Sequence, residues 1–278
     1  MGSLLIASGL EPGDCPEVLN VEKPDLIARI HRDYVRAGAD LILTNTFGGT
    51  DLRLGHFGFE TRVDELNQAG VTIARKVADA APRHVAVAGS VGPTGRLFAP
   101  FGPLDPQTAF DAFSLQIGAL KTAGVDVVWI ETMSSMEELE AAYEAAASTG
   151  LPVVTTMSFD TKGRTMMGVP PERLANWATG MSTVPAAIGA NCGIGSADVI
   201  EAVREMHNVV ANLPLVAKAN CGLPSLSGSS IEYPEQPGDM ATYVTAAIRA
   251  GARIIGACCG STPSHIAAIR AAVDARQT

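Results

Sequence analysis

The chain has 278 residues, 47% apolar and 18% charged, with 20 basic against 29 acidic side chains and a formal net charge of -9. That size can bury a core without disulfide staples, which excludes a disordered chain, and scattered basic residues in an acidic protein lack the clustered cations that nucleic-acid binding needs. No apolar run reaches the roughly 18 residues of a membrane span, no basic and apolar leader opens the chain, and five cysteines are an odd number for a disulfide framework. A cytoplasmic protein with reduced thiols, no membrane and no nucleic-acid partner is therefore expected.

In chain order, short β-branched runs alternate with longer amphipathic stretches. Strands are predicted at 40–45, 84–90, 125–131, 152–158, 186–191, 215–220 and 253–258. Helices are predicted at 24–37, 61–80, 106–123, 135–148, 171–180, 196–211, 238–250 and 263–276. Three helices end in Ala-Gly-X-Asp or Ala-Gly-X-Arg, at Gly38, Gly124 and Gly251, where glycine suits a left-handed C-cap leading into a strand. Strict alternation implies a parallel sheet with helical crossovers, and the absence of a linker-like tract argues for one domain over 1–278. Seven strands against eight helices leave the first helix without a strand before it. The fold expected is α/β, a (β/α)8 TIM barrel whose first strand is truncated or incomplete, with residues 1–6 as its short remnant. Long loops at 91–105 and 221–237 agree, because such barrels carry their chemistry after the C-terminal ends of strands.

Three cysteines fall at such ends. Cys192 lies between Asn191 and Gly193, and Cys258-Cys259 between Ala257 and Gly260. Adjacent side chains in a strand point to opposite faces, so two neighbouring cysteines reach one ion only where the strand has ended and the backbone turns. Three thiolates from two strand ends would make a tetrahedral zinc site with one open position. The alternative is three buried, inert thiols, since free cysteine is among the most buried residue types. Cys15 has no partner at ligand spacing and is expected to be a surface or half-buried bystander. Cys221 is kept outside the ligand set, and His265, behind Thr262-Pro263, reads as a structural residue of a helix start.

The segment Gly256-Ala-Cys258-Cys259-Gly260-Ser-Thr-Pro-Ser-His-Ile266 resembles the zinc motif of the homocysteine S-methyltransferase family, which includes the homocysteine module of cobalamin-dependent methionine synthase and betaine-homocysteine methyltransferases. Similar motifs recur in order along the chain: AGADLILTNTF from Ala37 to Phe47, AGSVGPTG from Ala88 to Gly95, Trp129-Ile-Glu131-Thr132, Ser158-Phe159-Asp160 with Gly163-Arg164-Thr165, and Gly189-Ala-Asn191-Cys192-Gly193. The resemblance implies zinc held by Cys192, Cys258 and Cys259 with the homocysteine sulfur as fourth ligand. It implies a substrate ammonium on Glu131. Asn45 and Asn191 each end a strand, where an amide can orient a polar substrate group or cap the loop, and Phe47 is a further substrate-binding candidate.

The reaction implied is methyl transfer to the homocysteine thiolate to form methionine, with no protein general base. The alternative is a zinc and homocysteine module active only with a separate corrinoid donor protein. Betaine, methylcobalamin or methyltetrahydrofolate, and S-methylmethionine are the donors in view. A quaternary ammonium donor calls for an aromatic cage, for which Phe47, Trp129, Phe159 and Tyr233 are the available walls. Assembly into a homo-oligomer is also among the readings. Family members open with a strand ending in Asp-Gly, where this sequence begins Met1-Gly2-Ser3, and they carry a small residue where Cys221 stands.

Overall fold

A computed structural model describes residues 1–11, 13–223, 225–227 and 230–276. The elements run α1 (Gly2–Ala7), α2 (Leu19–Glu22), α3 (Pro24–Arg36), β1 (Leu41–Leu43), α4 (Asp51–Leu54), α5 (Val63–Asp79), β2 (Ala86–Val91), α6 (Pro106–Ala123), β3 (Val127–Met133), α7 (Met136–Ala147) and β4 (Val153–Met157). They continue with α8 (Pro171–Gly180), β5 (Ala187–Cys192), α9 (Ser196–His207), β6 (Leu215–Ala219), β7 (Ser225–Ser227), β8 (Ser230–Glu232), α10 (Met240–Arg249), β9 (Ala252–Ala257) and α11 (Pro263–Asp274).

The main sheet takes its strands in chain order, β1-β2-β3-β4-β5-β6-β9, with helices between them, while β7 and β8 form a separate antiparallel hairpin. This is the (β/α)8 layout with seven of its strands among the described residues. All seven predicted strands and all eight predicted helices are present. The segment expected as a strand remnant is instead the helix α1. Its Leu5 is fully buried among Leu19, Ile27 and Ile30, so the apolar run serves to cap α2 and α3. The hairpin β7-β8 and the short α2 and α4 were not predicted.

The chain divides into two compact units, one of Met1–Val35 with Asp40–Thr155, the other of Arg36–Ala39 with Thr156–Thr278. In the first unit, β1, β2 and β3 pair in parallel, with Leu41 opposite Ala86 and Ser90 opposite Trp129. Asp105 accepts the Thr108 N–H at 2.9 Å to start α6, with Pro106 at its first position, and Gly124 closes it at φ 90. Ser135 caps α7 in the same way. These caps satisfy N–H groups that the helix itself cannot.

In the second unit, β5 pairs with β6 and β6 with β9, so that Asn191, Lys218 and Gly256 lie in one cross-strand row, as do Cys192, Ala219 and Ala257. β6 is buried along its whole length, as expected of a central parallel strand covered on both faces. Thr262 caps α11 through a capping box with His265, beside Pro263, as read from the sequence.

Candidate metal centre and substrate-binding residues

β6 lies between the two cysteine-bearing strands and fixes both of their ends. The Cys258 N–H donates to the Ala219 carbonyl at 2.7 Å, continuing the ladder past β9, and the Asn220 N–H donates to the Cys192 carbonyl at 3.2 Å. The Asn220 side chain then bridges the two loops. Its Nδ2 donates to the Gly193 carbonyl at 2.8 Å, and its Oδ1 accepts the Cys259 N–H at 3.0 Å. Cys192 itself stands at φ 60, a left-handed conformation that swings its side chain out of the strand alternation.

The result is a cluster in which the Sγ atoms of Cys192, Cys258 and Cys259 all lie within 4.8 Å of one another, Cys192 and Cys258 at 3.2 Å. Tetrahedral zinc with Zn–S bonds of about 2.3 Å needs sulfurs about 3.8 Å apart, whereas a disulfide needs about 2.05 Å. All five cysteines are free thiols. The residues present therefore fit a soft divalent metal: three sulfur donors, the right spread, and a turn that frees all three from the strand. Electrostatics agree. Hydrogen bonds from Cys192 and then Cys259 hold the Cys258 thiol well below its ordinary value, while the bond to Cys258 pushes Cys192 up. Three thiolates this close repel one another, and a bound cation would let all three ionise.

Asn191 is fully buried. Its Oδ1 accepts from the Thr156 hydroxyl at 2.6 Å, which turns the amide nitrogen toward the Cys258 sulfur at 4.0 Å. Tyr233 packs on the turn after the cysteine pair, where a Cβ added to Gly260 would stand 2.2 Å from the ring.

A family model of homocysteine S-methyltransferases matches residues 1–273. The chain belongs to the homocysteine S-methyltransferase family. It is 35% identical over 275 residues to methionine synthase of Mycobacterium leprae and 32% identical over 290 residues to that of Mycobacterium tuberculosis. These alignments take in 95% and 98% of the chain but only 22% and 24% of those much longer proteins. Among solved structures, the metallated form of the homocysteine methyltransferase MmuM from Escherichia coli superposes with a TM-score of 0.81 at 28% identity, covering 98% of this chain and 93% of that one. A methyltransferase from Methanosarcina mazei, 13% identical with a TM-score of 0.61 over 95% of this chain and 89% of its own, shares the fold.

The other candidate substrate-binding residues lie in the first unit. Glu131, near the end of β3, is buried and accepts the Ser90 hydroxyl at 2.5 Å through Oε1. Asn45, just past β1, donates from Nδ2 to the Pro16 carbonyl at 2.8 Å and to Asn20 Oδ1 at 3.0 Å, and so anchors the segment ahead of α2. Phe47 is 39% exposed and its ring lies against Gly92, where a Cβ would come within 2.5 Å. Of the aromatic walls considered from sequence, Trp129 and Phe159 are buried and Tyr233 is half-buried.

Cys15, expected at or near the surface, is buried. Its thiol donates to Glu17 Oε2 at 3.3 Å, and burial pushes it up to about 12. The segment it sits in is held down because the Glu17 carboxylate takes the Gly48 N–H at 2.7 Å. Cys221 is also buried and pushed up to about 12. Its N–H donates to the Cys259 carbonyl at 3.0 Å, so it touches the loop of the cysteine pair through its backbone and lies outside the three-sulfur group. His265 binds Thr262 and the Glu235 carbonyl, a helix-start role. Asn220 escaped the sequence reading. Its signal is the recurrence of asparagine at a strand end, as at Asn45 and Asn191.

Proposed function

We propose that this chain transfers a methyl group from a donor to the sulfur of homocysteine, forming methionine, and that it does so as a zinc protein. The observation that carries this reading is the three-sulfur cluster in a member of the homocysteine S-methyltransferase family. Cys192, Cys258 and Cys259 hold the metal, with Asn220 fixing their loops and Asn191 directing its amide to the Cys258 sulfur. When bound, zinc would supply the charge that keeps a substrate thiol deprotonated at neutral pH.

Glu131 receives the substrate ammonium. Asn45 anchors the loop that carries Phe47, whose ring borders the substrate. In the transfer, the homocysteine sulfur forms the new bond to the methyl carbon, and the bond between methyl and donor breaks with its electron pair leaving on the donor. The thiol proton passes to solvent, so no protein general base is required and the chain's work is positioning. The chain acts as one barrel domain in the cytoplasm, a setting in which five unpaired thiols stay reduced.

A second reading is a homocysteine and zinc module that works only with a separate corrinoid donor protein. It is favoured by the two methionine synthases, of which this chain matches under a quarter. No helix of the described residues is long and apolar enough to cross a membrane.

Two measurements test these readings. Metal analysis should find about one zinc per chain, lost in Cys258→Ala; full retention by that variant would sink the ligand assignment. Homocysteine offered in turn with betaine, S-methylmethionine and methylcobalamin should yield methionine from at least one small donor. Product only after a corrinoid protein is added supports the second reading, and no product under any condition overturns both.

A further inference from the structure

The carboxylate assigned to the substrate ammonium does not stand alone, because a buried polar network at the ends of β1, β2 and β3 converges on its neighbour Ser90. The Ser90 N–H donates to Thr44 Oγ1 at 3.0 Å. Its carbonyl accepts from Thr46 Oγ1 at 2.8 Å and from Gln116 Nε2 at 3.3 Å. Thr44 and Thr46 bond each other through their hydroxyls at 2.6 Å, and Gln116 also donates to the Thr46 carbonyl at 2.7 Å. Thr46 and Gln116 are fully buried, Thr44 and Ser90 nearly so. A serine hydroxyl can bond a neighbouring backbone group of its own segment. Here it crosses from β2 to β3 and donates to Glu131 Oε1 at 2.5 Å. The register permits this, because Ser90 is opposite Trp129 and Glu131 lies two residues on, facing the same way.

We propose that Ser90 is the positioning residue that aims Glu131, and that the Thr44, Thr46 and Gln116 network makes the site selective for thiols bearing an α-amino group. The inference rests on the role given to Glu131 under the proposed function. The network fixes the serine backbone at both its N–H and its carbonyl, and the hydroxyl is turned to Glu131. That hydroxyl holds one carboxylate oxygen in place. Without it the carboxylate loses its aim, so what suffers is discrimination for the amino group and not the metal-directed binding of the thiol.

The experiment is calorimetric binding of homocysteine and of 4-mercaptobutanoate, which lacks only the amino group, to the zinc-loaded protein and its variants. The wild type is expected to prefer homocysteine. Ser90→Ala should lose about tenfold in homocysteine affinity, the worth of one hydrogen bond to a charged group, and bind 4-mercaptobutanoate unchanged. Glu131→Gln should abolish the same preference, and Ser90→Thr, which keeps the hydroxyl, should retain it. Equal weakening of both thiols in Ser90→Ala, an unchanged preference, or loss of the preference in folded Ser90→Thr overturns the assignment while leaving the proposed function intact. Failure of the wild type to bind either thiol overturns the proposed function itself, and the assignment with it.

Discussion

At the scale of single residues, the three-cysteine cluster is framed by a side chain outside it. The Asn220 side chain is bonded to both cysteine-bearing loops, through Gly193 and through Cys259. Outer partners that orient metal ligands commonly contribute 10- to 100-fold in affinity. Asn220→Ala is expected to weaken zinc binding by about that factor in a chelator competition; an unchanged affinity would mean the two loops hold their shape without it. The three cysteines were legible because glycines and strand ends bracket them in the sequence. Asn220 was not, since its role follows from β6 lying between β5 and β9, a neighbourhood that linear spacing does not contain. Burial of Cys15 was hidden for a similar reason: the Glu17 carboxylate that pins its segment reaches Gly48, 31 residues away.

At the scale of elements, period and punctuation carried the reading. Gly38, Gly124 and Gly251 all adopt the left-handed conformation expected of helix ends, with φ of 98, 90 and 103. The failure at α1 has a physical cause. Six residues of mostly apolar sequence are too few to separate a period of 3.6 from a period of 2, and packing against α3 decides the outcome. The start of α11 offers a test of the capping argument. Thr262 takes part in a reciprocal box with His265, so Thr262→Ala should cost about 1 kcal/mol, read as a lower urea midpoint at unchanged slope. Because this N-cap lies only three residues past Cys259, the same variant should also loosen the loop that carries the cysteine pair, visible as faster zinc release. A fall in stability with unaltered release would show that the turn is held by its own hydrogen bonds.

For the molecule as a whole, the acid limb of stability is the property most open to measurement. His31 on α3 is buried, and burial pushes its imidazole down from 6.5 to about 3. Above pH 6.5 it is neutral in both folded and unfolded chains. Between 6.5 and 3 the unfolded chain takes up a proton that the native state refuses, so its contribution to stability falls as pH falls, by about 1.4 kcal/mol per pH unit. Replacing it by a neutral side chain, as in His31→Leu, should flatten the thermal midpoint against pH across that window relative to wild type. Parallel curves for the two proteins would show that the imidazole charges without unfolding the chain.

The left-handed backbone at Cys192 has a consequence for how such a protein can change over time. A non-glycine residue in that conformation carries a strain of about 1 to 2 kcal/mol, which glycine would relieve. Cys192→Gly should therefore be at least as stable as Cys192→Ala in a thermal melt, although both lack the same sulfur. Among residues that lack the sulfur, glycine is the one this backbone conformation favours. Copies of such a barrel that lose this cysteine are expected to collect glycine in its place.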